Sequence, residues 1–191
     1  MKNVILVLPS YELPAKGGPQ ISVRNLIKAV SKNCNVHAYI MAPKNMIGGK
    51  DAINYLKKYC SSISWSTSSI IKSYYNINNK PRLFGVIRII DAVRLIFLAI
   101  KHKTKIIWFD RAEELIPEFI YMVKGIWPHC ITICDTCAIY SEFILRELQF
   151  AEDFRKDGII QSAQKKSHQE IILTNMCNVV TAVSERDATF R

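Results

Sequence analysis

The sequence predicts an α/β domain, doubly wound around a mostly parallel sheet, and three observations predict it. Short apolar runs alternate with helical patterns at intervals that suit strand–helix–strand units. The first apolar run opens into a long glycine-bearing loop with a helical pattern directly behind it, the arrangement that surrounds ligands at the carboxyl ends of parallel strands. Two further apolar runs each end on an aspartate, Asp110 and Asp135.

Residues 3–8 read as the first strand. Ile21, Val23, Leu26, Ile27 and Val30 then recur at helical spacing, and Pro19 suits a first turn because its missing N–H is not needed there. Residues 35–42 make the second strand. The signal weakens from 43 to 80: a short helix over 51–59, a strand near 63–65, then a Ser- and Asn-rich stretch that reads as a mobile loop at the crevice rim. The most apolar helix spans 82–102, with Arg88, Asp91 and Arg94 in one sector where i,i+3 pairing can occur. A strand over 105–110, a helix over 113–125 with Pro117 near its first turn, and a strand over 130–135 follow. Two helices are expected over 142–156 and 159–174, broken at Asp157-Gly158 by a glycine C-cap. A strand over 178–183 closes the series, with Ser184 suited to cap a helix from Glu185. No internal repeat is evident, and the pattern describes a single domain of the Rossmann type.

With 191 residues, the chain can bury one substantial core but is short for two. Hydrophobic residues at 49% and charged residues at 22% are those of a globular protein. The best candidate for a membrane span, 83–100, carries Arg88, Asp91 and Arg94, each costly in a bilayer centre. The apolar run after Lys2 is shorter than the core of a secretory signal. These features place the protein in the cytoplasm, where its six cysteines stay reduced. Cys134 and Cys137 form a C-x-x-C, but a second pair at ligand spacing is missing, so buried packing is expected and no metal site.

The net charge of +10 points to phosphates, anionic lipid or an acidic substrate. Its distribution disfavours a dedicated nucleic-acid surface: Lys57-Lys58, Lys101/Lys103/Lys105 and Lys165-Lys166 are scattered and lack interleaved aromatics. Solvated helix faces account for each group. Among functional roles, peripheral contact with the anionic inner face of a membrane fits best.

The residues suited to chemistry collect at the predicted carboxyl edge. Gly17-Gly18 would let backbone N–H groups approach a phosphate or sugar beside a helix start. Neither G-x-G-x-x-G nor a P-loop is present, so a dinucleotide or P-loop nucleotide is disfavoured and no cofactor is expected. Asp135, followed by Thr136 and Tyr140, could take a proton from a hydroxyl nucleophile. Asp110, with Arg111 after it, fits a structural carboxylate better. His37, His102, His129 and His168 do not cluster in sequence and read as surface or packing residues.

Three segments together resemble one family. The opening run through Gly17-Gly18 into Pro19-Gln20-Ile21-Ser22 is similar to the start of family 4 glycosyltransferases of the GT-B fold. The stretch from Asn178 to Asp187 resembles the strand that closes their N-terminal domain. Asp135-Thr136-Cys137-Ala138-Ile139-Tyr140 resembles the motif D-T-x-D-x-H of certain members, with Ala138 where the motif has its second aspartate and Tyr140 where it has histidine.

The resemblance implies a retaining transfer of a sugar from a nucleotide-sugar to a hydroxyl acceptor, in a cleft between two Rossmann-like domains. Residues 1–191 would be the acceptor-side domain, half of a GT-B architecture. Gly17 and Gly18 would approach the donor diphosphate or the acceptor, and Asp135 and Thr136 would line the acceptor side, with Tyr140 and Arg111 as further substrate-binding candidates. The donor-binding half would lie elsewhere, through a truncated coding region, an isolated domain or a split enzyme with a partner chain. The competing expectation is a non-catalytic Rossmann-like module that binds a partner or an anionic membrane, and a nucleic-acid-binding protein ranks third.

Overall fold

In a computed structural model of the protein, the described residues are 1–8, 18–41, 49–66, 81–110, 116–136 and 139–182. They form one six-stranded, all-parallel sheet: β1 (Lys2–Leu8), β2 (Cys34–Ile40), β3 (Ser62–Trp65), β4 (Ile106–Phe109), β5 (Ile131–Thr136) and β6 (Val179–Ala182). The helices are α1 (Gly18–Val30), α2 (Gly49–Tyr59), α3 (Pro81–Lys101), α4 (Ile116–Ile126), α5 (Tyr140–Leu145) and α6 (Asp153–Met176). The strand order is β3-β2-β1-β4-β5-β6. The order reverses between β1 and β4, so the topological switch point lies beside the end of β1. The fold is a Rossmann-like doubly wound domain, as the alternating pattern predicts.

β1 explains why its sequence is a continuous apolar run and not an alternating one. Val4 to Leu8 are all at most 3% exposed, because both faces of a central parallel strand are covered. Val4, Leu6 and Leu8 join Val36, Ala38 and Ile40 beneath α1 and α2, through Val23, Ile27, Ala52 and Leu56. Ile5 and Val7 join Tyr39, Ile107 and Phe109 on the other face, beneath α3, α4 and α6. Phe119 of α4 meets Phe109 edge-on at 5.9 Å and lies 6.4 Å from the Tyr39 ring. Pro117 sits in the first turn of α4, as expected.

Helix α3 adds to the sequence expectation. Asp91 is 4% exposed and its carboxylate turns inward, with Arg94, one turn on, close enough to act on the Tyr39 phenol beside it. Tyr39 donates to it at 2.6 Å, and Ser66 donates to both oxygens at 3.0 and 3.1 Å. Two fixed hydroxyls in a dry site hold a carboxylate better than a flexible arginine in water can. Burial and the Asp91 charge push the Tyr39 phenol up, which keeps it a donor.

The expected break at Asp157-Gly158 is corrected. The chain runs from α5 into a 3-10 turn over Arg146–Phe150, becomes extended at Ala151 and Glu152, and then enters one helix, α6, that passes straight through Gly158. Glycine ends a helix when it takes a left-handed conformation; here it stays helical. Its cost of about 1 kcal/mol against alanine is offset by the burial of Ile159, Ala163 and Leu173 in α6. The helix expected from Glu185 and the Ser- and Asn-rich loop lie outside the described residues.

Candidate functional site

Because every pairing is parallel, all six strands deliver their carboxyl ends to one edge. The sheet is stitched there by backbone bonds, Asp110 N–H to the Val7 carbonyl at 2.9 Å and Met41 N–H to the Leu8 carbonyl at 2.8 Å. Helix α1 must run back between the parallel strands β1 and β2, so its first residue, Gly18, stands on this same edge. β5 lies two strands from β1, a separation of about 10 Å.

Asp135 is the next-to-last residue of β5 and is half-buried. Its register partner on β6 is Thr181, whose hydroxyl donates to the carboxylate at 2.7 Å. That bond steadies the carboxylate, and the residue keeps intermediate exposure. Thr136 ends β5 and Tyr140 begins α5, which brings Gly18, Asp135, Thr136 and Tyr140 to one edge of the sheet. Gly17 and Arg111 lie outside the described residues. Asp110 is 1% exposed and belongs to the floor between β1 and β4.

Two residues of this corner escaped the sequence reading. Thr181 is a strand threonine until the β5–β6 register makes it the partner of Asp135. Glu170 of α6 accepts from the Ser141 hydroxyl at 2.6 Å and the Ser141 N–H at 3.3 Å. It thereby satisfies a free donor at the start of α5 and ties that short helix to α6. Neither role leaves a local signal, since each depends on a strand or helix brought alongside by the fold.

The thiols of β5 and of the residue before it pack as small hydrophobes. Cys130 and Cys134 are at most 1% exposed. A hydrogen bond with Cys177, together with burial, pushes the Cys134 thiol far up, and burial raises Cys130. Metal and redox chemistry both require the thiolate. Cys137 lies outside the described residues, and among those described no three His, Cys, Asp or Glu side chains gather as metal ligands.

The histidines that looked unrelated in sequence do meet in space. His37 and His102 stack with ring centroids 3.7 Å apart; Ser62 Oγ lies 2.9 Å from His37 Nδ1 and 3.4 Å from His102 Nε2. The cluster sits at the amino-terminal end of β3, away from the candidate site. Burial, then the neighbouring His102, lowers His37 from 6.5 to about 4; burial and Lys101 lower His102. The folded protein therefore favours neutral His37, and the unfolded chain takes up the proton first. The stability contributed by neutral His37 should be complete above about pH 6.5 and should fall as the pH drops toward 4. A urea midpoint followed across that window should decline, and His37→Gln should flatten the decline.

An open groove of about 620 Å³ lies between α2 and the edge strand β3, lined by Lys50, Asn54, Lys57 and Trp65 among others. It is on the flank of the sheet, not on the edge that gathers Gly18 and Asp135. No protein-family model matches the chain, and no curated protein matches it.

Proposed function

We propose that this domain is the acceptor-side half of a glycosyltransferase, which transfers a sugar from a nucleotide-sugar to a hydroxyl acceptor when a donor-binding domain faces its open edge. The supporting observation is the parallel strand order, which sets the start of α1 and the Asp135 corner along one edge about two strand spacings apart. An acceptor and a diphosphate can occupy such an edge side by side. Gly17 and Gly18 serve the diphosphate or the acceptor through backbone N–H groups. Asp135, steadied by Thr181, accepts the proton of the attacking hydroxyl. Thr136, Tyr140 and Arg111 contribute polar contacts to the acceptor. The donor half comes from a continuation of the polypeptide or from a second chain. The reading locates the protein in the cytoplasm, peripheral at the inner face of a membrane, on the strength of its +10 charge.

Chemistry at a cleft needs both reactants held together. The domain alone should therefore turn over no nucleotide-sugar, and adding a donor-binding domain from a two-domain enzyme should give transfer to a hydroxyl acceptor. Turnover by the domain alone would contradict the two-wall arrangement; none with any donor domain would retire the catalytic reading. The second reading, a non-catalytic binding module, is favoured by Ala138 and Tyr140 standing where the family motif has aspartate and histidine.

A further inference from the structure

Helix α3 carries apolar side chains on two sides. Its inner side, Ala92, Leu95, Ile96 and Ala99, fills the core. Its outer side exposes Ile89, Ile90, Val93, Phe97 and Ile100 to 48%, 55%, 50%, 65% and 63%. At about 100° per residue these five fall in one sector roughly 100° wide, and they extend over about 16 Å of helix. Five large hydrophobic side chains on one helix face exceed the scattered exposure a surface normally tolerates. The face is held outward, because Asp91 on the opposite side is bonded to Tyr39 and Ser66 and fixes the rotation of the helix.

Between residues 89 and 105 the exposed charges beside this stripe have one sign. Arg94 and Lys101 each follow a stripe residue by one position and so border the same flank, and Lys103 and Lys105 follow the helix. The sole carboxylate between residues 89 and 105 is Asp91, which is buried. A second copy of the chain would oppose these cations to their own like, which disfavours a symmetric pairing. No helix of the described residues is long and apolar enough to cross a membrane, so the stripe suits a surface on which a helix lies.

We propose that the outer face of α3 is a docking surface for anionic lipid bilayers, with Ile89, Val93, Phe97 and Ile100 entering the headgroup boundary and Arg94 and Lys101 meeting the lipid phosphates. The inference rests on the membrane-associated reading above and is independent of sugar transfer. A second exposed apolar group, Phe150 and Phe154, does not share the character. It stands among charges of both signs, Glu147, Glu152, Asp153 and Asp157 with Arg146, Arg155 and Lys156, and Lys156 is bonded to Asp153 at 2.7 Å.

The test is co-sedimentation of the full chain with vesicles of phosphatidylglycerol and phosphatidylcholine, against vesicles of phosphatidylcholine alone. Binding should require the anionic lipid and weaken with salt. Phe97→Asp should reduce partitioning at least tenfold, and Arg94→Gln and Lys101→Gln about fivefold each. Phe154→Asp should change nothing. Phe97 is mostly exposed, so circular dichroism of its variant should match the parent. If the parent binds no vesicles, both the membrane reading and the docking face fall. If it binds and Phe97→Asp binds equally well, or Phe154→Asp is the variant that fails, the α3 assignment alone falls. A concentration-dependent dimer that Phe97→Asp dissolves, without vesicle binding by the parent, would give the stripe to a second copy and overturn the proposal.

Discussion

Asp91→Ala should cost about 3 kcal/mol of folding stability, because it strands two buried hydroxyls at about 1–3 kcal/mol each. Tyr39 is 1% exposed and Ser66 is 5% exposed, so neither can turn to water for a replacement acceptor. The check is the urea midpoint at unchanged slope. Asp91→Asn keeps an acceptor and nearly the same volume, and should lose about 1 kcal/mol, the net worth of one hydrogen bond. Combining Asp91→Leu with Tyr39→Phe and Ser66→Ala removes donors and acceptor together, and should be less destabilising than Asp91→Ala alone. If Asp91→Ala shifts the midpoint by less than about 1 kcal/mol, the three side chains do not act as a unit. The triple replacement has a further use: it leaves α3 without the anchor that sets its rotation.

That anchor marks where the sequence stops being legible. An amphipathic helix states its inner face through its pattern, and α2 does so: Ala52 and Leu56 are buried while Lys50, Lys57 and Lys58 are exposed. α3 is apolar on most sides, so its pattern predicts a helix without an orientation. Its orientation is set by Tyr39 and Ser66, which lie 52 and 25 residues away in sequence. β1 is legible for the opposite reason, since a strand covered on both faces needs no partner's identity to be recognised. The Asp157-Gly158 break failed because a local stop signal was outweighed by packing at Ile159 and Ala163. The stacked His37 and His102 were invisible because the contact is made by β2 and the end of α3, elements with no sequence relation. The candidate edge was half legible: strand–loop–helix order gave the start of α1 and the two aspartates, but not the partners that orient them.

The largest expected effect on chemistry falls on Asp135. On the proposed reading, Asp135→Asn keeps the shape of the corner and an acceptor for Thr181 but removes the base, and loss of a positioned base costs about 10²–10⁴-fold in rate. In the assembly with a donor-binding domain, kcat should fall by that factor while KM for the acceptor changes little, because the amide still occupies the same space. Thr181→Val separates orientation from proton transfer. It removes the 2.7 Å bond that steadies the carboxylate and leaves the carboxylate in place. A hydrogen bond to a charged group is worth about 1.5–3 kcal/mol, so the loss should be at least about tenfold, and it should not exceed that of Asp135→Asn. The double variant should lose no more than Asp135→Asn alone, since Thr181 acts through the group already removed. Independent, multiplying losses would mean that Thr181 touches the acceptor itself. An Asp135→Asn variant that retains full turnover would remove the carboxylate from the reaction and leave the corner with a binding role only.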